Sequence, residues 1–271
     1  MSSYFPGGSG LGWQRSLDRI KRKLETLVAS VWRVTLSRWF FVKRARNADV
    51  ECATMRFVAA NTSIPVPRVR FQFRWDDRTY IVMDRVRGRP LADIWRELPE
   101  AAKEIVVVRL AEYMKQLRSI PPPPGTSICS VLGGPVYCWR LNQWEPLTGP
   151  FRDEEHMNLQ LRTLQPVDSC AEVVKTAHAK THPLVFTHND FVTRNIMAQE
   201  DGTITGIIDW ECAGWFPAHW EYCKTMNWGN WHPQNREWYP WVHRFLPAYE
   251  LEAEADRALL QQFFAPEFHA P

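Results

Sequence analysis

The chain has 271 residues, of which 45% are hydrophobic and 23% charged, and carries a formal net charge of +3. That length suffices for one large domain or two lobes with a real core, and the composition is that of a globular protein, which excludes a disordered or fibrous chain. The charge is uneven, since residues 15–46 hold ten Lys/Arg against two acids while the remainder is acidic.

A basic first portion can meet phosphate, a membrane surface or nucleic acid. No recognisable nucleic-acid motif accompanies it, so no nucleic-acid partner is expected. It reads instead as a solvated helix face with phosphate contacts. The best candidate for a membrane span, residues 24–42, is interrupted by Glu25, Arg33 and Arg38, so no span is expected. The opening residues lack a basic-then-apolar leader pattern. Six cysteines lie far apart with no C-x-x-C, which reads as reduced thiols of a cytoplasmic protein. Ligand pairs at finger spacing are missing, so no zinc is expected.

In chain order, residues 1–12 are Gly/Ser-rich and read as loose. Leu17, Ile20, Leu24, Leu27, Val28 and Val31 follow helical spacing. "RWFFVKR" (38–44) reads as a strand and "DVECATMRFVAAN" (49–61) as a helix, with Asp49 as its N-cap and Asn61 as its stop. "IPVPRV" cannot be helical. "RVRFQFRW" and "TYIVMDRV" flank Asp76-Asp77 and predict a hairpin. "LADIWREL" begins new helical material, and residues 99–120 predict a long helix opened by Pro99 and closed by Pro121. Residues 121–150, with seven prolines and four glycines, predict a long surface excursion. "LVFT" (184–187) predicts a strand. "NIMAQ" and "TITGIID" around "EDG" predict a second hairpin. The rest, from 215, reads as aromatic and helical. Seven of the fourteen tryptophans fall between 210 and 241; they could floor an apolar acceptor pocket, although such stripes more often form core.

The segment "VFTHNDFVTRNIM" places His188, Asp190 and Asn195 between a strand and a hairpin, and "IIDWE" puts Asp209 at that hairpin's far end. The side chains of Asp190, Asn195 and Asp209 can therefore converge at one end of a small sheet. Two oxygen ligands beside a free acid suit Mg2+, a hard cation that keeps substrate phosphates in its shell. The free acid can orient a hydroxyl and take its proton.

"THNDFVTRNIM" followed by "GIIDWE" resembles the catalytic and metal-binding segments of the aminoglycoside phosphotransferase and choline kinase-like families, relatives of the protein kinases. The resemblance is nearest to the phosphotransferase-domain proteins of filamentous fungi. "ECATMRFVAANTSIPVPRV", "YIVMDRVRGRPLADIW", "LRSIPPP" and "WECAGWFPAHWEYCKTMNW" extend it over about residues 40–250. It implies an α+β, protein kinase-like, two-lobed fold. A basic helical extension (1–37) would precede a small sheet-plus-helix ATP lobe (38–86), followed by a larger, mostly helical lobe (87–271). It implies an ATP- and Mg2+-dependent transfer of phosphate to a hydroxyl of a small molecule. Asp190 would be the base, with Asn195 and Asp209 as Mg2+ ligands. Lys43 would hold the α- and β-phosphates and Glu51 would be its ion-pair partner. Met83, Asp84, Arg85 and Val86 would form the hinge that bonds adenine, and His188 would be an orienting residue.

The sequence departs from the family pattern in three places. The only Gly-rich stretch, residues 7–12, lies far upstream of Lys43 and lacks the phosphate-loop spacing. Asn189 stands where many relatives have Gly, and Phe191 where many have Leu. The first departure favours the alternative of a pseudokinase-like binding protein with little turnover. The acceptor is not fixed by these motifs.

Overall fold

The computed structural model describes residues 37–141, 145, 147–228 and 237–264. The Gly-rich stretch 7–12 and the helix expected between residues 16 and 36 lie outside them.

The first described unit is a three-stranded antiparallel sheet in the order β1-β3-β2, with β1 at Phe40–Ala45, β2 at Val69–Trp75 and β3 at Arg78–Asp84. β2 and β3 form the expected hairpin. Asp76 and Asp77 both take left-handed backbone (φ 49° and 56°), which a two-residue turn between twisted strands requires and which Asp tolerates. Helix α1, Ala48–Asn61, packs against β2 and β3. Its buried positions 48, 51, 52, 55 and 58 recur at helical spacing. Met55 and Val58 are fully enclosed, each contributing roughly 1.5–3 kcal/mol by burial.

Asn47, not Asp49, stands at the N-cap of α1, with no side-chain cap bond. Asp49 instead accepts Gln72 Nε2 at 2.7 Å. A partner on the neighbouring strand has drawn that carboxylate away from the helix end.

Residues 85–88 lead out of this unit to β4 (Arg89–Pro90), which pairs with β9 (Ile196–Ala198). At Gly88 the backbone is left-handed (φ 87°) and a Cβ would collide with the Ala198 carbonyl, so only glycine permits this approach. The short helix α2 (Leu91–Ile94) and the long α3 (Glu100–Ser119) follow. Helix α3 buries Ala102, Val106, Val107, Leu110, Tyr113, Met114 and Leu117 along one stripe. Pro121 to Pro124 cannot continue it.

Residues 121–150 are not a surface excursion throughout. β5 (Cys129–Ser130) joins a buried sheet, β6 (Val136–Tyr137) pairs with β7 (Leu147–Thr148), and Ile128, Val136, Cys138 and Leu141 are core. The prolines concentrate at 121–124; after them Ile128, Val136, Cys138 and Leu141 are drawn inward, while Leu132, Trp139 and Leu147 stay exposed.

Helices α4 (Glu154–Leu161) and α5 (Glu172–His178) precede β8 (Leu184–Thr187). β9 and β10 (Ile204–Ile207) form the second expected hairpin, with Gly202 at φ 85° in its turn. The segment after 215 opens with a strand rather than a helix. β11 (Gly214–Pro217) lies between β5 and β8 with Trp215 opposite Phe186. Buried on both faces, it reads as a continuous apolar run and shows no alternation.

Helix α6 (Trp220–Cys223) then continues into a π-helical turn at Lys224–Trp228; α7 (Tyr239–Val242) and α8 (Glu250–Phe264) close the described chain. Trp210, Trp220 and Trp238 are fully enclosed, and Trp95 packs edge-on against Trp238 and Trp241. These tryptophans belong to the core rather than to a pocket floor. The result is a sheet-plus-helix unit joined to a mostly helical one. One hydrophobic core runs through both, from Met55 and Ile81 to Leu110, Phe186 and Trp210, and a second, around Ile128, Met157 and Leu259, lies within the helical unit. Among the described residues no helix is long and apolar enough to cross a membrane.

Candidate active site

The strand-then-helix order brings Lys43 on β1 against Glu51 on α1. Lys43 Nζ lies 2.9 Å from Glu51 Oε1 and 2.6 Å from Asp209 Oδ1, and Glu211 Oε2 is 3.5 Å away. Arg46 supports the group from outside, with Nη1 2.8 Å from Glu211 Oε1.

Three carboxylates thus converge on one ammonium. Burial works against the charge on Lys43, yet Glu51, Asp209 and Glu211 outweigh it and raise its pKa. Glu51, the most enclosed of the three, is pushed up to about 7 by burial, against the pull of Lys43. The directions agree physically, since Lys43 and Arg46 cannot together neutralise three anions. Glu51 Oε2 is buried with no hydrogen-bond partner among the described residues, which leaves the site short of positive charge.

A cavity of about 310 Å3 opens beside this cluster, within the usual size of a small-molecule site. Lys43, Glu51, Met83, Asp84, Arg85, Val86 and Asp209 all line it, with Phe41, Pro67, Met197 and Ile208 as its apolar walls. Two backbone donors of the 83–86 segment are already engaged. Asp84 N–H donates to Arg68 O at 3.0 Å and Arg85 N–H to Trp39 O at 2.8 Å. The Asp84 carboxylate turns outward onto Arg70.

Asp190 and Asn195 do not line the cavity but border its Asp209 end. Ile208 N–H donates to Asn195 O at 2.9 Å, and His188 Nε2 lies 3.0 Å from Ile208 O. The loop carrying Asp190 is thereby tied to the residue before Asp209. Asp209 itself is left-handed (φ 66°), as is Asn189 (φ 64°). Asn and Asp tolerate that region better than other side chains, so both residues suit these backbone positions.

The Asn195 amide nitrogen donates to Asp190 O at 2.9 Å and to Asp190 Oδ2 at 2.8 Å. That leaves Oδ1 as the atom Asn195 can offer a cation. Asp190 Oδ1 and Oδ2 also receive Arg194 Nη2 at 3.0 and 2.7 Å. Burial alone would raise the Asp190 pKa, but Lys224, Arg194, His188 and the Asn195 hydrogen bond together lower it. Asp190 is therefore an ionised acceptor at neutral pH.

The sequence model of the phosphotransferase enzyme family matches residues 26–263. The chain belongs to that family. Among curated proteins none matches the sequence. Its fold is similar to that of aminoglycoside phosphotransferase APH(4)-Ia. A thermostable mutant of that protein, in its apo form, superposes with a TM-score of 0.54 at 18% identity, over 82% of this chain and 76% of the other. Another such mutant, in ternary complex with AMP-PNP and hygromycin B, gives 0.51 at 18% identity over 80% and 75%. This phosphotransferase-family chain therefore has the protein kinase-like fold.

Sequence reasoning missed four residues that surround the candidate site. Glu221 is buried and accepts the backbone N–H groups of His188 and Asn189 at 2.7 and 3.1 Å, fixing the Asp190 loop. Lys224, one turn on, supplies positive potential to Asp190 from the buried side. Arg194 and Glu211 lie inside the motif segments, but at positions whose partners emerge only on folding.

Proposed function

We propose that this chain transfers the γ-phosphate of ATP, with Mg2+, to a hydroxyl group of a small molecule. The observation that carries this reading is the Lys43–Glu51–Asp209 contact at the end of a 310 Å3 cavity, bonded through Ile208 and Asn195 to the loop of Asp190. The donor set fits the group. Asn195 Oδ1 and the Asp209 carboxylate are hard oxygens suited to Mg2+, and the surplus of carboxylates over cations calls for one.

When bound, Mg2+–ATP supplies the transferable phosphoryl group and a cation that draws charge from it. The residues of the chain do the rest. Asn195 and Asp209 would hold the metal, and Lys43, kept in place by Glu51, would meet the phosphates. Val86 would offer adenine a hinge N–H, because those of Asp84 and Arg85 are taken. Asp190 would accept a hydrogen bond from the acceptor hydroxyl and take its proton as the oxygen attacks. Arg194 and Lys224 keep Asp190 ionised so that its oxygens can accept. The protein is expected to work in the cytoplasm on a hydroxylated acceptor.

Calorimetric titration of ATP with and without Mg2+ tests the reading. Tighter binding with Mg2+ is expected. Equal affinity in both conditions would count against the metal assignment and favour a pseudokinase-like binding protein.

A further inference from the structure

A second group of ligating side chains lies apart from this site. Glu154 begins α4, His182 lies in the loop before β8, and His219 immediately precedes α6. Glu154 Oε1 is 2.8 Å from His182 Nδ1 and 3.0 Å from His219 Nε2. Glu154 Oε2 accepts the backbone N–H of His182 at 2.7 Å. One ligand atom from each residue falls within 4.8 Å of the other two, and the three side chains are only 7%, 11% and 9% exposed.

We propose that Glu154, His182 and His219 form a binding site for a transition-metal dication of the zinc class. Two imidazole nitrogens and one carboxylate oxygen are a donor set that zinc accepts, with bonds of about 2.0–2.2 Å in tetrahedral geometry. Neighbouring ligand atoms around such an ion stand roughly 3.3 Å apart, so the two separations from Glu154 Oε1 need to open by only a few tenths of an ångström, while the two imidazole nitrogens lie within 4.8 Å of each other.

The surroundings carry the inference further. An ion bound by His182 Nδ1 and His219 Nε2 requires each ring to carry its proton on the opposite nitrogen. An acceptor faces each of those nitrogens. His182 Nε2 is 3.4 Å from Glu252 Oε1, and His219 Nδ1 is 3.5 Å from Cys223 Sγ. Outer partners of this kind fix the tautomer of metal-bound histidines. A proton held by either ligating nitrogen beforehand moves through solvent to the opposite ring nitrogen, or leaves to solvent where that nitrogen is already protonated, as the lone pair takes up the ion.

The charge balance points the same way. Glu252 is paired with Lys180 and Asp256 with Arg140. Among the described residues no Lys or Arg comes within ion-pair distance of Glu154, whose charge meets only the two imidazoles and the backbone N–H of His182. A cavity of about 20 Å3 adjoins the group, lined in part by Glu154, His219, Cys223 and Glu252. That is room for about one water, the fourth ligand the geometry needs. The ligands are 28 and 65 residues apart from Glu154 in sequence, which is why no finger-type spacing reveals them. An ion here would fasten α4, the strand β8 and α6 to one another.

The test uses the full chain, stripped with a chelator and kept in excess Mg2+ so that oxygen-only sites are occupied. Zinc chloride is titrated by calorimetry and thermal denaturation, and cobalt(II) chloride by visible absorption. One zinc per chain is expected, with a Tm rise of about 5 °C or more at a hundredfold excess over Kd and the intense visible bands of four-coordinate cobalt. Glu154→Gln, which retains an oxygen to accept from both rings, and His219→Gln should each weaken binding by at least the roughly 10- to 100-fold that losing an outer partner of a ligand costs. Substoichiometric zinc with an unchanged Tm in the wild type overturns the proposal whether or not the variants fold. Unaltered zinc affinity in either folded variant overturns it too, since the ion then binds elsewhere, and the three residues are a hydrogen-bonded anchor only.

Discussion

Arg194 places one guanidinium nitrogen on both carboxylate oxygens of Asp190, at 3.0 and 2.7 Å, from four positions further along the chain. The pair spans the loop that Asn195 closes, and Arg194 is half exposed while Asp190 is largely enclosed. The ion pair therefore acts mainly on the charge of Asp190. Arg194→Met removes one of the cations that hold the Asp190 pKa down. The Asp190 carboxylate then ionises at higher pH, so with Asp190 as the proposed base the acidic limb of the rate profile should move upward while nucleotide affinity stays constant. A limb that does not move would remove Arg194 from the account.

Lys43→Met leaves Glu51, Asp209 and Glu211 facing one another without their shared cation. Affinity for Mg2+–ATP should fall, and turnover should fall by about 10²-fold or more, the scale of losing one preorganised charge at the transferring group. Steady-state kinetics beside a nucleotide titration read both. Full activity in this variant would place the phosphates elsewhere.

The pH dependence of stability has a definite sign at Glu51. Its pKa is raised from 4.5 to about 7 in the folded chain. Between those values the folded state keeps a proton that the unfolded state has released, so this contribution is present at the acid end and is lost as pH rises through about 7. His178, lowered to about 4 by burial and by Arg162, has the opposite slope between its two values. Wild type must therefore be compared with Glu51→Gln, which keeps the His178 contribution. From pH 5 to 8 the wild-type Tm should fall relative to that of the variant. Parallel curves would contradict the raised pKa.

Much of this was legible in the sequence because the motif residues are neighbours in the chain. His188, Asp190 and Asn195 share one loop, and the hairpin after it delivers Asp209 next to them. Lys43 and Glu51 sit on consecutive elements, so their contact follows from strand-then-helix order. Other features had no local signal. Glu221 and Lys224 are lone polar residues in an aromatic run, and only the packing of α6 beneath the loop gives them partners. β11 was hidden because burial on both faces erases the alternation that marks a strand. Asp49 was misassigned because its rival partner, Gln72, lies on another strand.

Glu221 offers a test of the loop apart from its chemistry. Its carboxylate accepts two backbone N–H groups in a fully enclosed place. Glu221→Gln puts an amide hydrogen where one N–H needs an acceptor, which costs about 1–3 kcal/mol and lowers Tm by roughly 2–12 °C for a chain of this size. Turnover should drop with it while the affinity for Mg2+–ATP is retained. An unchanged Tm would show that the loop is held by other bonds.

The most direct measurement of the central claim is ADP formed from ATP and Mg2+, with candidate hydroxylated acceptors, by wild type and Asp190→Asn, both saturated with nucleotide. The amide preserves the shape of Asp190 but cannot take a proton. The account predicts that wild type turns over and that the variant is slower by about 10²- to 10⁴-fold, the contribution of a positioned base. Equal ADP formation by the two proteins at saturation would contradict it, because Asp190 would then not be the base.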